Sequence, residues 1–251
     1  MKVSKLDYIF KMQDIDETAV CIFDMFNNCK YKGVDKSKIL NLFKLEQKDV
    51  KDICKIRCAV NNLHNKNNEK YNMCFNLQEM WDDYKQKFYD CIEREIGIQI
   101  SDMASCNVVC YLHELPIDEI NFEDNTLLLN CNRSPEDMFK SFVIMLTKIL
   151  ILDKWKLENN WDWDYSFRSN NLIWLFVEIA VDAIFANSQL KDISEYPSYK
   201  YFYTININGT NCLEHFRELY KKVCLEDFFD SVFMFTKQHK ELLLRFNNYL
   251  Y

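Results

Sequence analysis

Residues 172–187 read LIWLFVEIAVDAIFAN. Apolar side chains cover this segment almost all round, so as a helix it belongs inside a fold and not on its surface. Two acidic residues interrupt it. Glu178 and Asp182 are one helical turn apart and share a face. A buried carboxylate is costly unless a cation, hydrogen bonds or a metal ion meet it. The segment therefore carries either structural salt bridges or N-cap interactions with other elements, or a present or former active site. Either way it must be enclosed by other long elements.

The composition agrees with a mostly helical protein. Only 3 Gly and 3 Pro occur in 251 residues, too few for an all-β fold full of tight turns. The chain is 49% hydrophobic and 15% aromatic, enough for a sizeable core and against wholesale disorder. The first residues, MKVSKLDYIFKMQDID, hold no apolar run of signal-peptide length. The most apolar stretches, around 142–152 and 172–186, carry Lys148, Glu178 and Asp182 and read as core helices, not membrane spans. The expectation is a cytoplasmic protein with no membrane partner. A net charge of −7 builds no broad basic face, so nucleic acid is not a favoured partner.

Working outward, Ser134 and Pro135 mark a helix start of unusual clarity. Serine caps, proline fits the first helical position, and Glu136 and Asp137 oppose the helix dipole. This helix is expected to reach about Leu152. Before it, NVVCYL at 107–112 and TLLLN at 126–130 read as short strands of a small sheet. Leu77–Ile96 has apolar residues at helical spacing, with Gly97 as its C-cap. Helices are also expected at 16–27, 36–45, 48–60, 211–222, 225–233 and 237–249, and an extended segment at 196–207. The polar run NNLHNKNNEKYN at 61–72 reads as a loop. It suggests a helical N-terminal region, 1–60, an Asn-rich loop, 61–76, and a core domain, 77–251.

Motifs of known chemistry are few. His113-Glu114 begins like the HExxH zinc signature, but Ile117 stands where the second His belongs and Pro116 interrupts the segment. A structural or solvent role is expected for both. The 11 cysteines form no CxxC pair. Cys54 and Cys58 are one helical turn apart, and Cys106 and Cys110 lie close to His113, but core or incidental thiols are the expected reading. There is no GxSxG elbow and no phosphate-cradling glycine loop.

The order of elements resembles zincin-like metallopeptidases of the gluzincin type, in their small bacterial and mobile-element versions. The resemblance rests on EIGIQI (95–100), NVVCYL, TLLLN, RSPEDMFKSF (133–142), WLFVEIAVD (174–182) and the helical tail from Cys212. It implies an α+β fold, predominantly helical, in which long helices lie with a small sheet. In that family the helix opened here by Ser134 carries HExxH. The corresponding residues are Ile144-Met145-Leu146-Thr147-Lys148, so both His ligands and the catalytic Glu are missing. The third-ligand position falls on Glu178. The resemblance thus implies a pseudoenzyme with no metal, no cofactor and no catalytic residues, in which Lys148 meets Glu178 within about 4 Å in place of the ion.

The expected function is a non-catalytic protein-binding or regulatory protein on a degenerate metallopeptidase scaffold. An inhibitor encoded by a phage or mobile element fits the Asn-, Lys- and Ile-rich composition. Its expected partner is another protein, with Trp161, Trp163, Tyr165 and Phe167 as interface aromatics. One alternative is an enzyme with a carboxylate-based centre around Glu178 and Asp182. Another is an acidic inhibitor of a nucleic-acid enzyme.

Overall fold

The structure is a computed structural model that describes residues 10–28, 35–65, 70–99, 108–121, 125–159, 172–193, 205–207 and 209–239. It is α+β and predominantly helical, with a small mixed sheet. The described helices are α1 (Ile15–Asn27), α2 (Lys36–Phe43), α3 (Ile53–His64), α4 (Lys70–Ile96), α5 (Pro135–Asn159), α6 (Leu172–Asn187), α7 (Cys212–Tyr220) and α8 (Leu225–Gln238). The strands are β1 (Phe10–Met12), β2 (Val109–His113), β3 (Glu119–Asn121), β4 (Thr126–Asn130) and a short hairpin, β5 (Asn206–Ile207) and β6 (Thr210–Asn211).

The described residues fall into two compact units, and consecutive stretches of chain do not define them. One holds α1–α3, the four-stranded sheet, residues 70–83 of α4 and residues 135–142 of α5. The other holds residues 84–99, residues 143–159 of α5, helices α6–α8 and the hairpin. The N-terminal helices therefore share a unit with the sheet. The Asn-rich loop is much shorter than expected. Helix α3 continues through Asn61–His64, where Leu63 packs against the apolar core, and α4 already begins at Lys70. Tertiary packing here outweighs the modest helix propensity of Asn.

In the first unit, α1, α2 and α3 enclose a cluster of Ala19, Ile22, Met25, Ile39, Phe43, Ile56 and Val60, which Leu115 from the β2–β3 connection joins. Local chemistry sets the helix ends. Asp14 accepts from the N–H of Asp16 at 2.7 Å, and Asp35 accepts from the N–H of Ser37 at 3.0 Å. Helix α3 starts at Ile53 and not at Lys48, because Asp52 caps it by accepting from the N–H groups of Cys54 and Lys55; residues 49–51 form a separate 3-10 turn.

The sheet has the order β1-β2-β4-β3. Strands β1, β2 and β4 run parallel and β3 pairs antiparallel with β4 at one edge. Val108, Cys110 and Leu112 all face inward, as the alternation predicts. Strands β1 and β3 were not expected from the sequence. Each has three residues, too few to show a period of two. Phe142 packs against Phe10 and Trp81, with ring centroids 4.8 and 5.2 Å apart.

In the second unit, buried α6 packs on α7 and α8. Trp155 of α5, Phe176 of α6 and Phe233 of α8 form an aromatic cluster, with centroids 5.2 Å (Trp155–Phe176) and 5.0 Å (Trp155–Phe233) apart. Gly97 ends α4 with φ +69°, its N–H donating to the carbonyl of Glu93 at 3.0 Å. Helix α5 starts as expected, the N–H of Asp137 donating to the Ser134 hydroxyl at 3.1 Å, but it runs to Asn159. Helix α8 likewise extends past Phe233 to Gln238. The helix expected at 237–249 lies outside the described residues beyond 239, and the extended segment at 196–207 lies outside them before 205.

Candidate functional site

Helix α6 presents Glu178 and Asp182 on one face, and both are buried. Facing them are one cation from α5 and one from α7. The ammonium of Lys148 donates to Oε1 of Glu178 at 2.5 Å. The Lys148 side chain is 11% exposed and that of Glu178 is 0% exposed, so this ion pair is formed almost entirely out of water. One turn along, Arg217 donates from Nε and Nη2 to the two carboxylate oxygens of Asp182, both at 2.8 Å. The two ion pairs put two carboxylates side by side with a cation on each, and the four formal charges sum to zero.

Each element supplies its residue for a visible reason. Ile144, Met145 and Lys148 lie on the inward side of α5, among residues buried on every face of that stretch. Thr147 turns its hydroxyl back onto the carbonyl of Val143 at 2.8 Å, satisfying a buried polar group within the helix. Helix α7 is amphipathic, with Cys212, Leu213 and Phe216 buried, and Arg217 sits on the flank of that face. Asn187, at the end of α6, ties the two helices by donating to the backbone carbonyl of Arg217 at 3.0 Å.

Burial dominates the electrostatics. It holds the Glu178 carboxyl above the usual carboxylate range. The Lys148 ammonium works against that rise, and Asp182 adds to it. Nearby, burial pushes the Cys212 thiol up to about 12, and the Asp182 charge contributes in the same direction.

The Lys148–Glu178 contact expected from the sequence is therefore present. Arg217 was missed. Its signal was weak: an Arg beside the apolar stripe of CLEHFRELY, with no indication of which acidic residue it would meet. Trp161, Trp163, Tyr165 and Phe167 lie outside the described residues.

These residues do not fit a zinc ion. Catalytic zinc takes three His, Glu, Asp or Cys ligands plus an open position. Ile144 offers no lone pair, and the Lys148 nitrogen is committed to Glu178 as a donor. Among the described residues, no group of three or more His, Cys, Asp or Glu side chains is placed to hold a metal ion. Nor is Glu178 placed to act as a base, since a general base must reach its substrate's proton and this side chain is 0% exposed.

His113 and Glu114 have structural roles in the first unit. The N–H of Leu115 donates to Nδ1 of buried His113 at 3.2 Å, which closes the turn after β2. Glu114 Oε1 lies 3.5 Å from Nδ1 of His64, linking the sheet to the end of α3. Of the nine described cysteines, Cys91, Cys110, Cys131 and Cys212 are buried and Cys54, Cys58 and Cys224 exposed. Among the described residues, no helix is long and apolar enough to cross a membrane.

Comparison with protein-family models, with curated proteins and with solved structures finds no match to the chain.

Proposed function

We propose that this chain is a non-catalytic protein-binding or regulatory protein, acting in the cytoplasm, on a scaffold of the gluzincin metallopeptidase type whose metal centre has been replaced by an ion pair. The observation that carries this reading is the buried Lys148–Glu178 contact at 2.5 Å. It sits at the two positions where the resemblance places a zinc ligand on each of two helices. The element order supports it as well: strands β2 and β4 precede the long helix α5, in the order on which the resemblance rests. The carboxylate-centred alternative is weaker, because Lys148 and Arg217 engage the two carboxylates it would use. The net charge of −7 favours a protein partner over a nucleic acid.

Two measurements test this. Protein purified without chelators is assayed for bound zinc and for zinc-dependent hydrolysis of an unfolded protein substrate. The expected result is neither. Hydrolysis that Glu178→Gln abolishes would overturn the reading. The converse experiment restores the ligands. The double variant Ile144→His, Lys148→His is expected to bind one zinc ion per chain, and adding Glu178→Ala is expected to remove it. A folded double variant that takes up no zinc would show that positions 144, 148 and 178 do not converge as a former metal site must.

A further inference from the structure

A groove beside α3 brings together two exposed thiols. It has a volume of about 670 Å3 and is lined by Phe43, Leu45 and Ala59 with Lys44, Asp49, Lys55 and Asn62. Two thiols, Cys54 and Cys58, open into it, and both are exposed. They lie on adjacent turns of one helix, which places their Cβ atoms about 5–6 Å apart.

That spacing selects the chemistry. A disulfide needs Cβ atoms about 3.5–4.5 Å apart, so closing one here would distort α3. A bridging metal ion is a better fit, because two metal–thiolate bonds of about 2.3 Å each reach sulfurs up to about 4.6 Å apart. Thiolates are soft ligands and select soft ions, chiefly Cu(I) and Zn(II). Structural zinc wants four ligands. No set of three His, Cys, Asp or Glu side chains is placed to begin such a site among the described residues. Cu(I) is satisfied by two thiolates in a near-linear arrangement.

We propose that Cys54 and Cys58 form a two-coordinate Cu(I) site on the groove wall of α3. On binding, each thiol loses its proton to solvent and forms one copper–sulfur bond, and no electron is transferred. The complex carries one negative charge, and Lys44 and Lys55 line the same groove. Asp49 lines the groove too and pairs with Lys55 at 2.8 Å, so these three charged groups sum to +1, which offsets the charge of the complex. The cap on Asp52, which accepts from the N–H of Cys54 at 3.0 Å, fixes the first turn of α3 and so the spacing of the pair.

The test is anaerobic titration of the full chain with Cu(I) against bathocuproine disulfonate, a chromogenic Cu(I) chelator. The native chain is expected to retain one Cu(I). Cys54→Ser and Cys58→Ser are each expected to weaken retention on the order of 100-fold or more, because the second thiolate then no longer acts at the high effective concentration of a chelate. Cys224→Ser, which removes an exposed thiol that does not line the groove, is expected to match the native chain. Melting temperatures of all three variants check that the fold is intact. If a serine variant melts early, alkylating the exposed thiols of Cys224→Ser protein with iodoacetamide supplies the same test and is expected to abolish retention. Single serine variants that hold copper as the native chain does would overturn the proposal. So would a native chain that yields all its copper to the competitor.

Discussion

Replacing Lys148 by Met tests the energetic reading of the buried charges. Met matches the length of the lysine stem and removes the ammonium that meets Glu178. At the observed 2.5 Å separation, the gross attraction in a medium of effective dielectric constant near 20 is on the order of 7 kcal/mol. Desolvating the two ions costs several kcal/mol each, so the pair as a whole is close to neutral in stability. Breaking it is different, because Glu178 is left charged or must be protonated. The expected destabilisation of Lys148→Met is about 3–5 kcal/mol at neutral pH. The double variant Lys148→Met, Glu178→Leu removes both charges and is expected within about 1 kcal/mol of the native protein, or above it.

Acid should narrow the difference. The folded-state value for Glu178 is raised, chiefly by burial, so its contribution to stability is fully present below the ordinary carboxylate range and is lost as the pH rises through the folded value. Lys148 opposes that rise. Removing it lifts the folded value further and widens the window in which stability is lost. Lys148→Met is therefore expected to lie closer to the native protein at about pH 5 than at about pH 7.5. Urea unfolding of the native chain and both variants at the two pH values is the assay. A single variant as stable as the native protein at neutral pH would refute this reasoning. So would a double variant as unstable as the single one.

The neighbouring sites give further expectations. Arg217→Lys keeps the charge but loses the fork that holds both oxygens of Asp182, and should cost about 1–2 kcal/mol in denaturant unfolding. Arg217→Ala should cost about 3 kcal/mol or more, since it takes the two-bond cation away from a buried carboxylate. Gly97→Ala should cost about 1–2 kcal/mol through its backbone alone. Its φ is +69°, while the nearest side-chain atom to an added Cβ, Lys154 Nζ, is 4.0 Å away. Gly97→Asn should cost less in the same thermal or denaturant assay, because Asn tolerates the left-handed region better.

Much of the secondary structure was legible because it is set locally. The Ser134-Pro135 start of α5 and the Gly97 stop of α4 are short-range events between a side chain or backbone group and atoms a few residues away. The burial of α6 follows from an apolar surface with no polar face to offer water. The three-residue strands β1 and β3 were not legible. A strand of that length has no pattern of its own and exists only through its partners, and for β1 the partner β2 lies nearly one hundred residues along the chain. The extent of α3 was hidden for a related reason. Asn61 and Asn62 favour a loop when judged by themselves, and the packing of Leu63 and the His64–Glu114 contact keep that turn helical.

The candidate site divides along the same line. The sequence by itself determined that Glu178 and Asp182 share one face of a buried helix, since one helical turn and an apolar environment are local facts. It also determined that each would need a cation, hydrogen bonds or a metal ion, because an unpaired buried carboxylate is too costly to keep. Which cation meets which carboxylate was settled only by tertiary structure. Lys148 stands 30 residues before Glu178 and Arg217 stands 35 after Asp182. Their meeting depends on how α5, α6 and α7 are rotated against one another. That rotation is fixed by the packing of many side chains at once, such as Trp155 on Phe176 and Asn187 on the backbone of Arg217, and no short stretch of sequence contains it.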